Sequence, residues 1–476
     1  MSSSSMSVLR RQLRYFSGRR FSTACCGVTT LHKYSFVASG TRSFATALND
    51  EAGKTRNLIR HVTVLARDLP HRNGVQPDLF ERARRNPLWL RDSCSCPRCV
   101  DPSTSQKLFQ TSDIPLDISV ATEKASKDTY EVTWKNDVVG FDGQHVSTYS
   151  RDFLDAYSKP HWISGIDGFG RPDKGRIERE LWNKDEISER IKFIDYNEYL
   201  SSEEALHDAL IQLTWSGLVF IRGIPDKSDA VEAIGGRIGH LRDTFYGRTW
   251  DVKSVPQAKN VAYTSQFLGF HMDLLYKSDP PGLQLLHCLR NSCEGGASMF
   301  SDSFLAADEL RKEDFQAWFL LTRFNVQYHY HNDGEHYRHS RPVIELSGKN
   351  SKRPAFVNWS PPFQAPSDVG ISPHDQDVGM KRPLFASYAR AAKKFAAHIE
   401  NPANIFEHRL QEGECVIFNN RRVLHARRAF ESTSGQRWLK GAYLDTDVFL
   451  SRYRVLQEKW GPSTPPDISA QQDRQL

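Results

Sequence analysis

No run of 18 or more apolar residues occurs in this 476-residue chain, and its mean hydropathy is -0.55, which excludes a membrane-spanning helix. Cysteine is scarce: 8 residues are too few for a disulfide scaffold in a chain of this length. Internal repeats are missing, and so are the biased compositions of collagen, coiled coils and wholesale disorder. What is present is an ordinary globular mixture, 39% hydrophobic, 25% charged and 11% aromatic. The length calls for about two to three folded units of an enzyme-like kind.

The net charge of +6 points toward nucleic acid until it is located. Residues 1–49 hold six Arg and Lys33, with ten Ser and no acid before Asp50. Without these seven charges the chain has 56 basic against 57 acidic residues, so nothing draws it globally to phosphate or to a membrane surface. An Arg- and Ser-rich, acid-free start reads as a mitochondrial transit peptide over 1–49. Leu9 to Phe16 suits a short basic amphipathic helix, and cleavage is expected near Arg42-Ser43-Phe44-Ala45. If the segment is only a basic tail, the expected compartment is the cytoplasm.

From 57 to 157 short alternating runs, such as Tyr130 to Trp134 and His145 to Tyr149, predict the strands of a small β domain. Residues 158–190 carry Gly165, Gly168, Gly170 and Pro172 and read as a connector. Ser202 then caps a helix through Leu206, Leu210 and Leu213, followed by a buried strand from Gly217 and a second helix from Asp229 to Ile238. Beyond Val261 strands dominate, with Gln284 to Cys288, Pro342 to Leu346 and Cys415 to Phe418 as examples. A single long helix from Pro383 to Glu400 interrupts them, with Leu384, Phe385, Tyr388, Phe395 and Ile399 near one face. The tail from 458 to 476 reads as disordered.

Cys94, Cys96 and Cys99 fall within six residues. Thiolates so close repel one another unless a cation or a disulfide compensates, and tetrahedral zinc does this well. The odd count and a reducing matrix disfavour the disulfide. A fourth ligand must come from elsewhere: His145, at the start of a strand of the same domain, is the strongest candidate, ahead of His61 and His71. Three thiolates and an imidazole close the shell, so such a zinc is structural.

His271-Met272-Asp273 ends a predicted strand, and a strand period of two puts both side chains on one face. Taken singly, these histidines read as buried core residues. The combination changes the reading, because His425 follows another strand 152 residues after Asp273, and Arg437 lies twelve residues further on. Two histidines and a carboxylate leave metal positions open and suit non-haem Fe(II) that activates O2. The Arg437 guanidinium suits bidentate capture of the distal carboxylate of 2-oxoglutarate.

Both constellations, in this order, resemble the carnitine-biosynthesis dioxygenases, and among them the γ-butyrobetaine dioxygenases. The resemblance runs from about Leu88 to Leu456. It is carried by Trp89 to Cys99, Phe245 to Trp250, Asn260 to Tyr263, Pro280 to Cys288 and Arg421 to Arg428. It implies a mainly β fold with flanking helices: a double-stranded β-helix (jelly-roll) oxygenase domain over 191–457, preceded by a small zinc-binding β domain, usually as a homodimer. It implies iron on His271, Asp273 and His425, 2-oxoglutarate on Arg437, and structural zinc on Cys94, Cys96, Cys99 and His145, with ascorbate as reductant.

The implied activity is hydroxylation of γ-butyrobetaine to L-carnitine, with succinate and CO2 as co-products. The resemblance also implies an aromatic cage for trimethylammonium, at Tyr246, Trp250, Tyr263 and Tyr443, which π-faces serve well because that cation donates no hydrogen bond. Asn260 would hold the substrate carboxylate, and Ser360 stands where the family carries a second Asn. Met272 occupies a position where relatives often carry Thr. The runner-up substrate is trimethyllysine or another quaternary ammonium, and an α-amino acid head would need recognition of its own. A rival of another class, a zinc-dependent interaction protein with an inactive oxygenase domain, is opposed by the intact His271, Asp273, His425 and Arg437.

Overall fold

The computed structural model describes residues 86–141, 144–158, 179–253, 266–347, 352–367 and 384–460. The expected leader, His61, His71, Asn260 and Tyr263 lie outside these residues, as does the tail after Trp460.

Near the N-terminus, β1 (Ser119–Ala125), β2 (Thr129–Lys135) and β3 (Val146–Ser150) form an antiparallel sheet in that order. Strand alternation in β2 turns Tyr130, Val132 and Trp134 inward, onto Leu90 and Tyr149. This small core also contains Cys94 and Cys99.

The rest is built on two larger sheets, with two further two-stranded sheets beside them. Its strands are β4 (Phe193–Asp195), β5 (Leu218–Arg222), β6 (Thr249–Lys253), β7 (Leu268–His271), β8 (Leu283–Asn291), β9 (Ser298–Asp302), β10 (Asn325–Asn332), β11 (Glu335–Pro342), β12 (Ile344–Leu346), β13 (Pro354–Val357), β14 (Ile405–His408), β15 (Cys415–Asn419), β16 (Val423–Arg427) and β17 (Arg437–Leu444). Six of them pair in the order β4-β5-β15-β8-β17-β6, and four in the order β14-β9-β16-β7. Pairing is antiparallel except between β4 and β5. Phe300 of the smaller sheet meets Phe220 and Phe418 of the larger one edge-on, at 6.1 and 5.7 Å. This is the two-sheet arrangement expected of a double-stranded β-helix.

Helices cover both sides. Glu203–Trp215 starts where Ser202 Oγ accepts the Ala205 N–H (3.2 Å), and it buries Leu206, Leu210 and Leu213 as the periodicity predicts. Together with Ala230–Ile238 and Thr446–Trp460 it packs in the core of the six-stranded sheet. Ser303–Glu313, Phe315–Leu321 and Leu384–Ile399 pack in the core of the four-stranded one. A bidentate, fully buried ion pair from Arg422 to Asp302 (3.0 and 2.7 Å) ties the turn before β16 to β9, and Arg422 also donates to the Trp215 and Glu180 carbonyls.

Three expectations need correction. The connector over 158–190 ends early: Lys184–Arg190 is a helix closed by an Asn183–Glu186 capping box, and Trp182 and Ile187 belong to the main core. The helix over Leu384–Ile399 is not alone beyond Val261. Phe315–Leu321 is apolar on nearly every side, which conceals its period, and the helical turn chemistry of Ser303–Glu313 begins inside a strand-rich stretch. Finally, Phe385 is 51% exposed, whereas Tyr388, Phe395 and Ile399 are buried, so the apolar stripe begins one turn later than read.

Candidate active site

His271 is the last residue of β7 and stands directly opposite His425 of β16 in the antiparallel register. Both imidazoles therefore project from one face, with ring centroids 4.1 Å apart. Asp273 lies just past the strand, where Leu274 takes a left-handed φ of 61° and turns the chain. Asn420 fixes that turn: its Oδ1 accepts the Asp273 N–H (2.8 Å) and its Nδ2 donates to the Asp273 carbonyl (3.1 Å). The Asp273 carboxylate then reaches His271 Nε2 at 3.5 Å and accepts the Tyr443 hydroxyl at 2.6 Å.

One donor atom from each of His271, Asp273 and His425 lies within 4.8 Å of the others. Burial pushes the His425 imidazole down to about 3, helped by the neighbouring His271, so it is neutral and ready to ligate. Burial would raise the Asp273 carboxyl, but the His271 hydrogen bond, both imidazoles and the Tyr443 hydroxyl outweigh it and hold it well below the usual carboxylate range. A carboxylate and two imidazoles on one side of a space suit a divalent transition metal with open positions. These three residues fit iron(II).

The donors sit in the wall of a cavity between the two sheets. Period-two alternation brings Gln284 and Leu286 of β8, Leu439 and Tyr443 of β17, and Trp250 and Val252 of β6 to its face. Arg437, at the start of β17, lines it and is 8% exposed. Among the described residues no hydrogen-bond partner meets its Nε. Burial pushes the guanidinium down to about 10, which still leaves it cationic at neutral pH. Gly296 makes room for it: with φ at 69°, any Cβ there would stand 3.3 Å from Arg437 Nε. A buried cation with an unmatched donor in the wall of a cavity fits an anionic ligand such as a carboxylate.

Of the expected cage, Tyr246, Trp250 and Tyr443 line the cavity. Trp250 stacks on Tyr443 at 3.9 Å and lies over Gly441, where a Cβ would stand 2.4 Å from the indole. Ser360 is fully buried, yet it does not line the cavity and its hydroxyl has no partner among the described residues. The geometry therefore does not bring Ser360 to the substrate space. The residues missed were Tyr276, Phe363, Gln284 and Arg427, which also line the wall. Tyr276 follows Asp273 by three residues, and that proximity was the available signal. Phe363 sits in a short 3-10 turn, Pro361–Phe363, that no periodicity announces.

In the small N-terminal unit, Cys94, Cys96 and Cys99 place Sγ 3.6, 3.5 and 3.4 Å from His145 Nε2. His145 Nδ1 meets Asp137 Oδ2 at 2.8 Å, the orienting carboxylate typical of a metal-bound histidine. Arg91 holds Asp137 in turn. Contact with Cys99 lowers the Cys94 thiol, and the same contact pushes Cys99 up, because three neighbouring thiols cannot all ionise without a cation. The donor set fits zinc. Cys96→Ser is expected to lower zinc content and thermal stability together, since metal affinity here is folding free energy. Zinc retained at one per chain with an unchanged melting temperature would count against the site.

A jelly-roll core with two histidines, a carboxylate and a buried arginine around one cavity defines the metal-dependent oxygenase class. Residues 185–443 match the family described as "Taurine catabolism dioxygenase TauD, TfdA family". Dioxygenase str8 of Strobilurus tenacellus is 40% identical over 78% of this chain and 84% of its own. The γ-butyrobetaine dioxygenase of Pseudomonas sp. (strain AK-1) is 32% identical over 78% and 90%, and the trimethyllysine dioxygenase of Meyerozyma guilliermondii is 28% identical over 80% and 93%. The chain belongs to the TauD/TfdA family of 2-oxoglutarate-dependent dioxygenases.

Proposed function

We propose that this dioxygenase hydroxylates γ-butyrobetaine to L-carnitine. The observation that carries the reading is an aromatic wall, Tyr246, Trp250 and Tyr443, in the same cavity as His271, Asp273, His425 and Arg437. Iron(II) held by the triad, together with 2-oxoglutarate and O2, supplies the oxidation; succinate and CO2 leave with the product, and ascorbate keeps the metal reduced. Arg437 would hold the distal carboxylate of 2-oxoglutarate and so fix its register. The apolar walls exclude water around the reacting C–H bond, and the ring faces attract the fixed cation at about 0.5–2 kcal/mol per contact. Asn260 and Tyr263 complete the substrate contacts in this reading, and zinc on Cys94, Cys96, Cys99 and His145 is structural. The acid-free leader supports a mitochondrial address, and the resemblance to the carnitine-biosynthesis enzymes supports a homodimer.

Trimethyllysine is the second reading, and the named relatives include enzymes for both substrates. Its α-ammonium group asks for an acceptor of its own. Among the described lining residues the only carboxylate is Asp273, already engaged by His271 and Tyr443, which favours a substrate without a free amine.

The test is a pair of competitors: a trimethylammonium substrate analogue and its neutral tert-butyl isostere. The charged compound should inhibit turnover more strongly, and Trp250→Leu should erase most of that preference, because Leu keeps apolar contact and loses the π-face. Packing alone predicts an isostere of equal or greater potency, since it needs no desolvation of charge. Equal potency in the wild type would remove the cage and the betaine assignment with it.

A further inference from the structure

Tyr443 is engaged twice. Its ring is stacked with Trp250 at 3.9 Å and 23°, and its hydroxyl donates to Asp273 Oδ2 at 2.6 Å. It is 2% exposed. The other carboxylate oxygen, Oδ1, is the one turned to His271 Nε2 at 3.5 Å. Asn420 fixes the backbone of Asp273 from the opposite side, through both its N–H and its carbonyl. The backbone and one carboxylate oxygen are thus both held, with Oδ2 occupied by the phenol and Oδ1 turned toward His271.

We propose that Tyr443 is a positioning residue for the metal centre, one that selects Oδ1 of Asp273 as the ligating oxygen, in addition to forming part of the aromatic wall. A cage role needs only the ring; the positioning role needs only the hydroxyl. The two are separable by one oxygen atom. An acceptor oxygen fixed by a hydrogen bond orients its partner oxygen, and loss of such an outer partner typically weakens metal binding by about 10- to 100-fold. This inference rests on the triad being the metal site, so the experiment includes a variant that tests the triad itself.

The measurement is Mn(II) affinity by electron paramagnetic resonance on the full chain. Mn(II) suits imidazole and carboxylate, while the thiolate cluster disfavours it. Wild type should bind and His271→Ala should not; equal binding by both would overturn the metal site rather than the role of Tyr443. With that control in place, Tyr443→Phe should bind Mn(II) at least about 10-fold more weakly. Its affinity for tetramethylammonium should stay within about twofold, because the ring is retained. Trp250→Phe should show the converse, an unchanged Mn(II) affinity and a weaker tetramethylammonium one.

Mn(II) affinity of Tyr443→Phe within about twofold of wild type would overturn the proposal, being far short of the loss of an outer-shell partner. Zinc content and melting temperature report whether Tyr443→Phe folds. Should it not, Tyr443→3-fluorotyrosine keeps the shape and changes the acidity of the donor. A shift of more than about twofold in Mn(II) affinity then supports the role, and no shift overturns it.

Discussion

Replacing any one of His271, Asp273 or His425 by Ala is expected to abolish substrate-dependent succinate release while zinc stays in place. Outer-shell partners of a metal site typically cost 10- to 100-fold on removal, so loss of a ligand should exceed about 100-fold. The reason is geometric as well as electrostatic. Each residue supplies one of three donor atoms clustered within 4.8 Å, and no described fourth His, Cys, Asp or Glu joins that cluster. Asp273→Ala should be the most severe of the three. It removes the only anionic donor and leaves the fully buried Tyr443 hydroxyl without its acceptor, which adds a folding cost of about 1–3 kcal/mol. A combined assay of zinc content, Mn(II) binding and succinate release separates loss of the metal from loss of the fold. Retained succinate release from any of the three variants would contradict the assignment.

Arg437→Ala should raise the half-saturating concentration of 2-oxoglutarate far more than that of the substrate. Losing one partner of a buried, hydrogen-bonded charge pair costs about 2–5 kcal/mol, or roughly 30- to 4,000-fold in affinity. A second consequence runs the other way. In the free protein Arg437 is a buried cation whose Nε finds no partner among the described residues. Uncompensated burial of charge destabilises, so Arg437→Met should leave the ligand-free protein as stable as wild type or more so. A purely structural arginine predicts the reverse. Arg422 provides the comparison: it is also buried but bound bidentately to Asp302, and its removal leaves that buried carboxylate without its counter-charge. Arg422→Met should therefore destabilise strongly, by about 3–5 kcal/mol, as expected when a buried pair is broken. Thermal melts of the two variants without ligand check the contrast.

Legibility in the sequence followed the range of each physical signal. Cys94, Cys96 and Cys99 are local, and their chemistry is forced by proximity alone, so the cluster could be read directly. His145 needed only a strand of the same small unit. His271 and His425 lie far apart in the chain, yet each ends or occupies a strand, and the antiparallel register brings them face to face. Arg437 was recognisable because the strand after His425 must return past the same cavity.

What escaped detection depended on tertiary placement. Tyr276 and Phe363 reach the wall from a turn and a 3-10 segment, where neither period two nor period 3.6 applies. Ser360 falls short of the wall, which the chain reaches at Pro362 and Phe363: the segment runs beside the site, with the Trp359 carbonyl accepting the Met272 N–H at 2.8 Å, but Ser360 does not line the cavity. Tyr443 was placed on an aromatic wall only by the family resemblance, and its hydrogen bond to Asp273 needed coordinates. The helix Phe315–Leu321 was hidden for the opposite reason: the exposed Phe315 and Phe319 carry apolar residues onto its outer side as well, which erases the amphipathic stripe from which helices are read.

The most direct test of the account is product analysis with iron(II), 2-oxoglutarate and O2, offering γ-butyrobetaine and trimethyllysine side by side to the same enzyme. The account predicts L-carnitine and an equal amount of succinate from γ-butyrobetaine, with little turnover of trimethyllysine. Succinate release driven by trimethyllysine, or by neither compound, would contradict it.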